Sequence, residues 1–507
     1  MSFAKALLLA GTVAQPAGDR CTALAGAERT AAAVPAGTRV PTGPSGGAVS
    51  LSGFCRVEGV LRPVAGSRIG YQLWLPAPGK WTGRFQMFGN GGYSAELPLG
   101  QMAAAVARGS AAIATDTGHS GDDPDFARGA PEAIVDWGWR GVHLSAVEGQ
   151  RLTARYYGRA ARYRYFAGCS TGGHQAMMEA QRFPDDFDGI VAGAPGANRV
   201  TLNAAFLWQF VTNNPTPGRP PLLDASDLKL LQDHALATCH TANGAAAGGL
   251  AADGWLNDPL GCRPDPAALL CRPGGTGDCL TAAQVQAAAA MYRGATDPRT
   301  GKRVTLPWLP GSEAGWAAYW ADPRQPDQPA RANFWRLWTG YGDRWQPSKF
   351  DWGRDLAAAR TRLGPVIDAV DPDLDGFRRR GGRLLQYHGL ADPVVSPLDT
   401  IAYRDAVARR TPKLSAWNRL FLVPGMGHCA GGPGFWRFDA QTAIERWVEQ
   451  GQAPDRLVAG QAAGTATRPL CPYPQRARFR AGPTDAADSF VCEAPLSRAS
   501  AGTPRRD

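Results

Sequence analysis

The sequence predicts an α/β fold with a mostly parallel sheet, and three observations carry that prediction. Strand-like and helix-like runs alternate on either side of a long central stretch of different character. A Gly-x-Ser-x-Gly string, "GCSTG" within "FAGCSTGG", falls where an aromatic strand gives way to a helix. The chain of 507 residues, 44% hydrophobic and 19% charged, is long enough to bury a large core and more than one compact unit.

Taken in order, Lys5 and the apolar run Ala6–Ala10, followed by Thr12 and Ala14, read as a short secretory signal over residues 1–20, or as a stray helical N-terminus. Residues up to about 50 are rich in Ala, Gly, Thr and Pro and suit either loose structure or an edge hairpin. Strands follow at "IGYQLWLP" and "RFQMFGNGGY", the first by its apolar–polar alternation. Helices are expected near Met102–Arg108 and Val142–Tyr157, then the strand "YRYFAG", a helix from His174 to Arg182 and the strand "GIVAGAP". Residues 199–365 break this rhythm with four cysteines, many prolines and a cluster of tryptophans between Trp308 and Trp352, and are expected to form an inserted second domain. The alternation resumes at "GRLLQYHG" and "NRLFLVPG", with a helix over Ala440–Gln450. The catalytic domain is therefore assigned to 21–198 and 366–492, with 493–507 a polar, frayed tail.

Composition excludes several classes. The net charge of +10 is scattered, its densest run being Arg378–Arg380, and no nucleic-acid motif accompanies it, so nucleic acid is not an expected partner. No segment reaches the about 18 apolar residues that an integral membrane helix needs. The ten cysteines lack the paired spacing of a zinc site and suggest disulfides, hence a secreted or periplasmic protein. Oligomeric state is not legible.

Glycine and serine are common, so the serine string alone is also satisfied by a turn without chemistry. Its partners should follow in the order acid, then histidine, each after a later strand. "LLQYHGLADP" ends in a loop holding Asp392, and "LFLVPGMGHC" ends in one holding His428. Asp392 also suits a turn before Pro393, and His428 a packed loop, but both fall in the required order and setting. Cys169 precedes Ser170 and Cys429 follows His428. If serine and histidine are hydrogen-bonded, those cysteines lie within disulfide reach, so a Cys169–Cys429 bond would clamp the two loops.

The Cys-Ser, Asp, His-Cys set resembles the tannase and feruloyl esterase family, as do "TDTGH" at 115–119, "QRFPDDFDGIVAGAP" at 181–195 and "NFWRLW" at 333–338. That likeness covers about residues 50–475. It implies an α/β-hydrolase core with a large inserted lid, and Ser170, Asp392 and His428 as nucleophile, acid and base. The oxyanion donors would be the amide of Thr171 and that of Gly91 or Gly92 in "GNGG". The resemblance also implies disulfides Cys21–Cys55, Cys239–Cys262, Cys271–Cys279 and Cys471–Cys492.

The expected reaction is hydrolysis of aromatic (phenolic) esters, feruloyl or galloyl, through an acyl-enzyme. Alternatives are a terephthalate monoester, acyl transfer to an alcohol, and a silent phenolic- or carbohydrate-binding homologue. No cofactor is required. The calcium loop of family lids is degraded here: His240 stands for the first Asp, and the candidate ligands reduce to Asn243 and Asp253, favouring a plain loop. Trp316, Arg336 and Trp338 are the candidate substrate contacts, although the tryptophans also suit a lid core and Arg336 a structural role.

Overall fold

The computed structural model describes residues 17–41, 47–216, 218–243, 250, 253–273 and 278–494. The proposed signal segment thus lies outside the described residues up to position 16, and the proposed tail lies outside them from position 495.

A short helix α1 (Ala17–Thr22) precedes β1 (Arg29–Pro41), β2 (Ala48–Leu61), β3 (Ile69–Pro76) and β4 (Arg84–Phe88). Then come α2 (Leu99–Ala107), β5 (Ala111–Thr115), α3 (Pro131–Val135), α4 (Gly141–Tyr157), β6 (Tyr163–Cys169), α5 (Thr171–Arg182) and β7 (Gly189–Gly193). These strands join β10 (Arg383–Gly389) and β11 (Asn418–Val423) in one nine-stranded sheet of order β1-β2-β3-β5-β4-β6-β7-β10-β11. The first three neighbour pairs are antiparallel, and every pair from β5–β4 onward is parallel. The Ala-, Gly- and Thr-rich start is therefore an edge hairpin, β1 against β2. The central parallel strands read as apolar runs because helices cover both faces.

Between β7 and β10 the chain leaves the sheet through α6 (Arg199–Asn213), α7 (Ala225–Asn243), α8 (Ala282–Arg293), a small hairpin of β8 (Ala321–Asp322) and β9 (Gln325–Pro329), α9 (Arg354–Ile367) and α10 (Asp375–Arg379). The helical content of this segment was not legible because its helices are separated by loops rather than by strands. Five of its nine tryptophans are buried in core. Trp308, Trp316 and Trp320 join Leu228, Leu231 and Met291 in one cluster. Phe334, Trp335 and Trp338 join Trp137 and Tyr93 of the preceding region in another. After β10 come α11 (Pro397–Arg410), β11, α12 (Ala440–Gln450) and two short hairpins, β12 (Leu457–Gly460) with β13 (Thr467–Leu470) and β14 (Arg476–Phe479) with β15 (Phe490–Glu493).

Five disulfides are formed: Cys21–Cys55, Cys169–Cys429, Cys239–Cys262, Cys271–Cys279 and Cys471–Cys492. They fit an extracellular protein. No helix among the described residues is long and apolar enough to cross a membrane.

Candidate active site

Ser170 sits between β6 and α5 with φ 63° and ψ −116°, a left-handed conformation that costs a non-glycine residue energy. Its surroundings hold it there. Its amide donates to the Gly193 carbonyl at 3.0 Å, and its carbonyl accepts from the amides of His174 (2.9 Å) and Gly196 (3.2 Å). A Cβ at Gly168 would stand 2.5 Å from the backbone of Gly172, so only glycine lets strand and helix fold back this tightly. The helix begins at Thr171 rather than His174, which leaves the Thr171 amide at its first turn, where amides have no intrahelical acceptor.

Asp392 and His428 occupy the loops after β10 and β11. The Nδ1 of His428 lies 2.7 Å from Asp392 Oδ2, with the carboxylate completely buried. The other carboxylate oxygen accepts the amides of Val394 (2.8 Å) and Val395 (3.0 Å). Burial alone would raise this carboxyl's pKa. The charge and hydrogen bond of His428, together with those of His388, outweigh burial and hold it well below the usual carboxylate range. An ionised Asp392 fixes the Nδ1–H tautomer and leaves His428 Nε2 free to accept a proton. Cys429, like Ser170, has a left-handed backbone, φ 65°. The disulfide between Cys429 and Cys169 holds their Cα atoms 5.9 Å apart and so brings the serine and histidine loops together.

The glycine loop after β4 lies against the serine turn. Thr171 Oγ1 donates to the Gly92 carbonyl at 2.7 Å, and Gln175 Nε2 donates to Asn90 Oδ1 at 2.7 Å. Nothing lies within 4 Å of the position a Gly91 side chain would take, so that residue faces open space. The "TDTGH" segment supports the same loop, since His119 Nε2 meets the Tyr93 carbonyl at 2.7 Å.

Of the candidate substrate contacts, the two tryptophans lie in the core. Trp316 is completely buried and its indole N–H donates to Ser312 Oγ at 2.9 Å. Trp338 is equally buried, donating to the Pro124 carbonyl at 2.8 Å. Arg336 Nη2 donates to Gln328 Oε1 at 2.7 Å. Asn333 Nδ2 donates to Asp123 Oδ1 at 2.7 Å, so "NFWRLW" ties the inserted segment to the loop before α3. Indole rings of this size supply more burial than any other side chain, which is why they were drawn inside.

Sequence reasoning missed three residues near the site. His388 stands beside Asp392. Arg199, at the start of α6, donates to Thr171 Oγ1 at 2.8 Å. Arg331 has a left-handed backbone, φ 62°. Its guanidinium stands 3.4 Å from where a Gly92 Cβ would be, over the rings of Tyr93 (5.5 Å) and Tyr319 (5.9 Å). Isolated arginines in loop-like sequence carry no periodic or motif signal.

Asp253 is engaged by protein groups. Its Oδ2 accepts from the Leu250 amide (2.9 Å) and Asn257 Nδ2 (3.0 Å), and the Arg468 guanidinium stands 3.6 Å from Oδ1. A cation already satisfies this carboxylate and would repel a second. The side chain of Asn243 lies outside the described residues. His143, Glu179 and Asp186 also converge, with His143 Nδ1 2.7 Å from Asp186. Burial and the adjacent Asp186 push the Glu179 carboxyl well up, which favours its protonated form.

The strand order and the serine turn above parallel strands are those of an α/β-hydrolase. More narrowly, a model of the tannase and feruloyl esterase family matches residues 55–334 and 347–493, and the chain belongs to that family. It is a carboxylic ester hydrolase. It is 35% identical to an uncharacterised esterase of Xanthomonas campestris, over 90% of this chain and 87% of that one. It is 34% identical to the mono(2-hydroxyethyl) terephthalate hydrolase of Piscinibacter sakaiensis (88% and 86%), and 32% identical to a probable feruloyl esterase B-2 of Aspergillus terreus (87% and 85%). Feruloyl esterase B of Aspergillus oryzae matches with a TM-score of 0.84 at 27% identity, covering 94% of this chain and 100% of that one. The tannin acyl hydrolase of Aspergillus niger, at 21% identity and a TM-score of 0.75 over 92% and 90%, shares the fold.

Proposed function

We propose that the chain is a secreted or periplasmic serine esterase for aromatic carboxylic esters, with residues 199–365 as its lid. Ser170 Oγ attacks the ester carbonyl carbon while His428 Nε2 takes its proton, and Asp392 stabilises the resulting imidazolium. The tetrahedral oxyanion lies against the amides of Thr171 and of Gly91 or Gly92. Collapse breaks the bond to the alcohol oxygen, which leaves with the proton from His428. Water then repeats the sequence on the acyl-enzyme, its proton passing through His428 as the acid departs and Ser170 is restored.

The observation that carries this reading is the buried 2.7 Å Asp392–His428 contact on a loop cross-linked to the serine turn. A silent binding homologue would have no use for an acid held ionised behind a histidine. The relatives named as feruloyl esterases and as a terephthalate monoester hydrolase support the aromatic acyl group. Arg331 favours the monoester variant: its guanidinium makes no ion pair among the described residues and stands beside Gly92, where a distal carboxylate could meet it.

Hydrolysis of methyl ferulate, methyl gallate and mono(2-hydroxyethyl) terephthalate, with Ser170→Ala alongside, tests the reading. Turnover of at least one substrate, abolished in Ser170→Ala, is expected. Undiminished turnover in that variant would assign the nucleophile elsewhere.

A further inference from the structure

Arg199 is a buried guanidinium, 4% exposed, that makes no ion pair among the described residues. Its Nη2 donates to Thr171 Oγ1 at 2.8 Å, its Nε is buried without a hydrogen-bond partner, and its charge rests against the faces of Trp137 (5.1 Å) and Tyr93 (5.9 Å). Burying a cation this way is costly, and cation–π contacts offset only part of the cost. Such an expense beside a serine turn calls for a reason.

The direction of the hydrogen bonds supplies one. A guanidinium can only donate, so the Thr171 hydroxyl accepts from Arg199. The single hydroxyl proton is then committed to the Gly92 carbonyl, which can only accept, at 2.7 Å. Arg199, Thr171 and Gly92 thus form a one-way chain that polarises along its length. It joins the serine turn to the glycine loop at the two places from which the proposed oxyanion donors come. Gly92 has φ +56°, and glycine backbone flips readily between conformers. Tying its carbonyl to Thr171 holds that peptide group in one orientation. A second link closes the frame: Asn203 Nδ2 donates to the Arg199 carbonyl (2.9 Å) and contacts the Tyr93 hydroxyl (3.0 Å).

We infer that Arg199 is a positioning residue of the oxyanion site, fixing through the Thr171 hydroxyl the spacing between the Thr171 amide and the glycine-loop amides. It touches no reacting atom. The inference rests on the serine-esterase reading given above.

The test compares Arg199→Met, Arg199→Lys, Thr171→Val and Thr171→Ser for kcat, KM and inhibition by an arylboronic acid, which forms a tetrahedral adduct on the serine. Misplacing oxyanion donors should lower kcat by about 10- to 100-fold in Arg199→Met and Thr171→Val, with KM changed by less than about 3-fold. Boronate affinity should fall in parallel with kcat. Arg199→Lys, which keeps the cationic donor, and Thr171→Ser, which keeps the hydroxyl, should recover most of both. The double variant Arg199→Met/Thr171→Val should be no worse than the poorer single one, because both break the same chain. A lowered melting temperature with unchanged kcat and boronate affinity would overturn the inference, and so would multiplying losses in the double variant. Should Arg199→Met fail to fold, Thr171→Val cuts the same chain from its other end and decides. Phosphonate labelling of the unmodified enzyme separates the two readings: an unlabelled Ser170 defeats the proposed serine mechanism, whereas a labelled enzyme with unaffected variants defeats only the role of Arg199.

Discussion

His388 Nε2 stands 3.2 Å from Asp392 Oδ2, the same oxygen that His428 Nδ1 approaches at 2.7 Å. The His388 ring is itself pinned, to the Val395 carbonyl at 2.9 Å and to Thr400 Oγ1 at 2.8 Å. The acid is therefore gripped by two imidazoles and two backbone amides. Asp392→Asn should keep this geometry while losing the charge and the Nδ1–H preference, lowering kcat by about 10^4-fold. Circular dichroism should show an intact fold, and a stopped assay with methyl ferulate measures the loss.

Replacing Cys169 and Cys429 together by Ala releases the serine and histidine loops from each other. The bond closes a loop with a sequence separation of 260, for which chain entropy gives a contribution of about 5 kcal/mol. Denaturant melts should show a loss of that order, and kcat should fall with it. Unchanged melting and kinetics would show that packing alone aligns the loops.

Trp316 and Trp338 should behave as core. Trp316→Ala should cost roughly 3–5 kcal/mol of stability and leave the ratio of kcat/KM between ferulate and gallate esters unaltered. A shift in that ratio with little loss of stability would return the residue to the substrate pocket.

Glu313 makes the inserted segment sensitive to pH. Burial pushes its carboxyl up to about 7, against the opposing hydrogen bonds from the Tyr292 hydroxyl (2.6 Å) and the Gly311 amide (2.8 Å). The folded state therefore favours the protonated acid. Its stabilisation is complete below the unfolded value of 4.5 and is lost as pH rises through 7. Thermal melts should give a higher melting temperature at pH 5 than at pH 8, and Glu313→Gln should reduce the difference. Asp368, pushed up to about 6 by burial, acts in the same direction and accounts for part of what remains.

Arg331→Gln should discriminate between substrates. For mono(2-hydroxyethyl) terephthalate, whose acid carries a second carboxylate, KM should rise by about 10-fold, the loss of one charge-assisted hydrogen bond. For methyl ferulate the change should stay below about 2-fold. Equal effects on both would place the guanidinium away from the acyl group.

What was legible in the sequence was whatever repeats or aligns. Apolar runs such as "GIVAG" and "NRLFLV" are strands because helices cover both sheet faces, and Ser170, Asp392 and His428 each follow such a strand. The inserted segment was legible only as a departure from rhythm. Its tryptophans suited either a substrate wall or a core because composition says nothing of burial, and Trp316 proves to have no exposed surface. Arg199 and Arg331 were invisible for a different reason. Their positions depend on long-range contacts, to Thr171 and to the Gly92 loop, that no local spacing encodes.

The Cys169–Cys429 bond encloses the whole of 199–365, so the inserted segment is a loop of a covalent ring. A protease that nicks it severs the backbone but not the molecule. The two fragments stay attached beside the serine and the histidine, migrate together on a gel until thiol is added, and part only then. A cut anywhere in the inserted segment thus leaves Ser170 and His428 in one covalent piece.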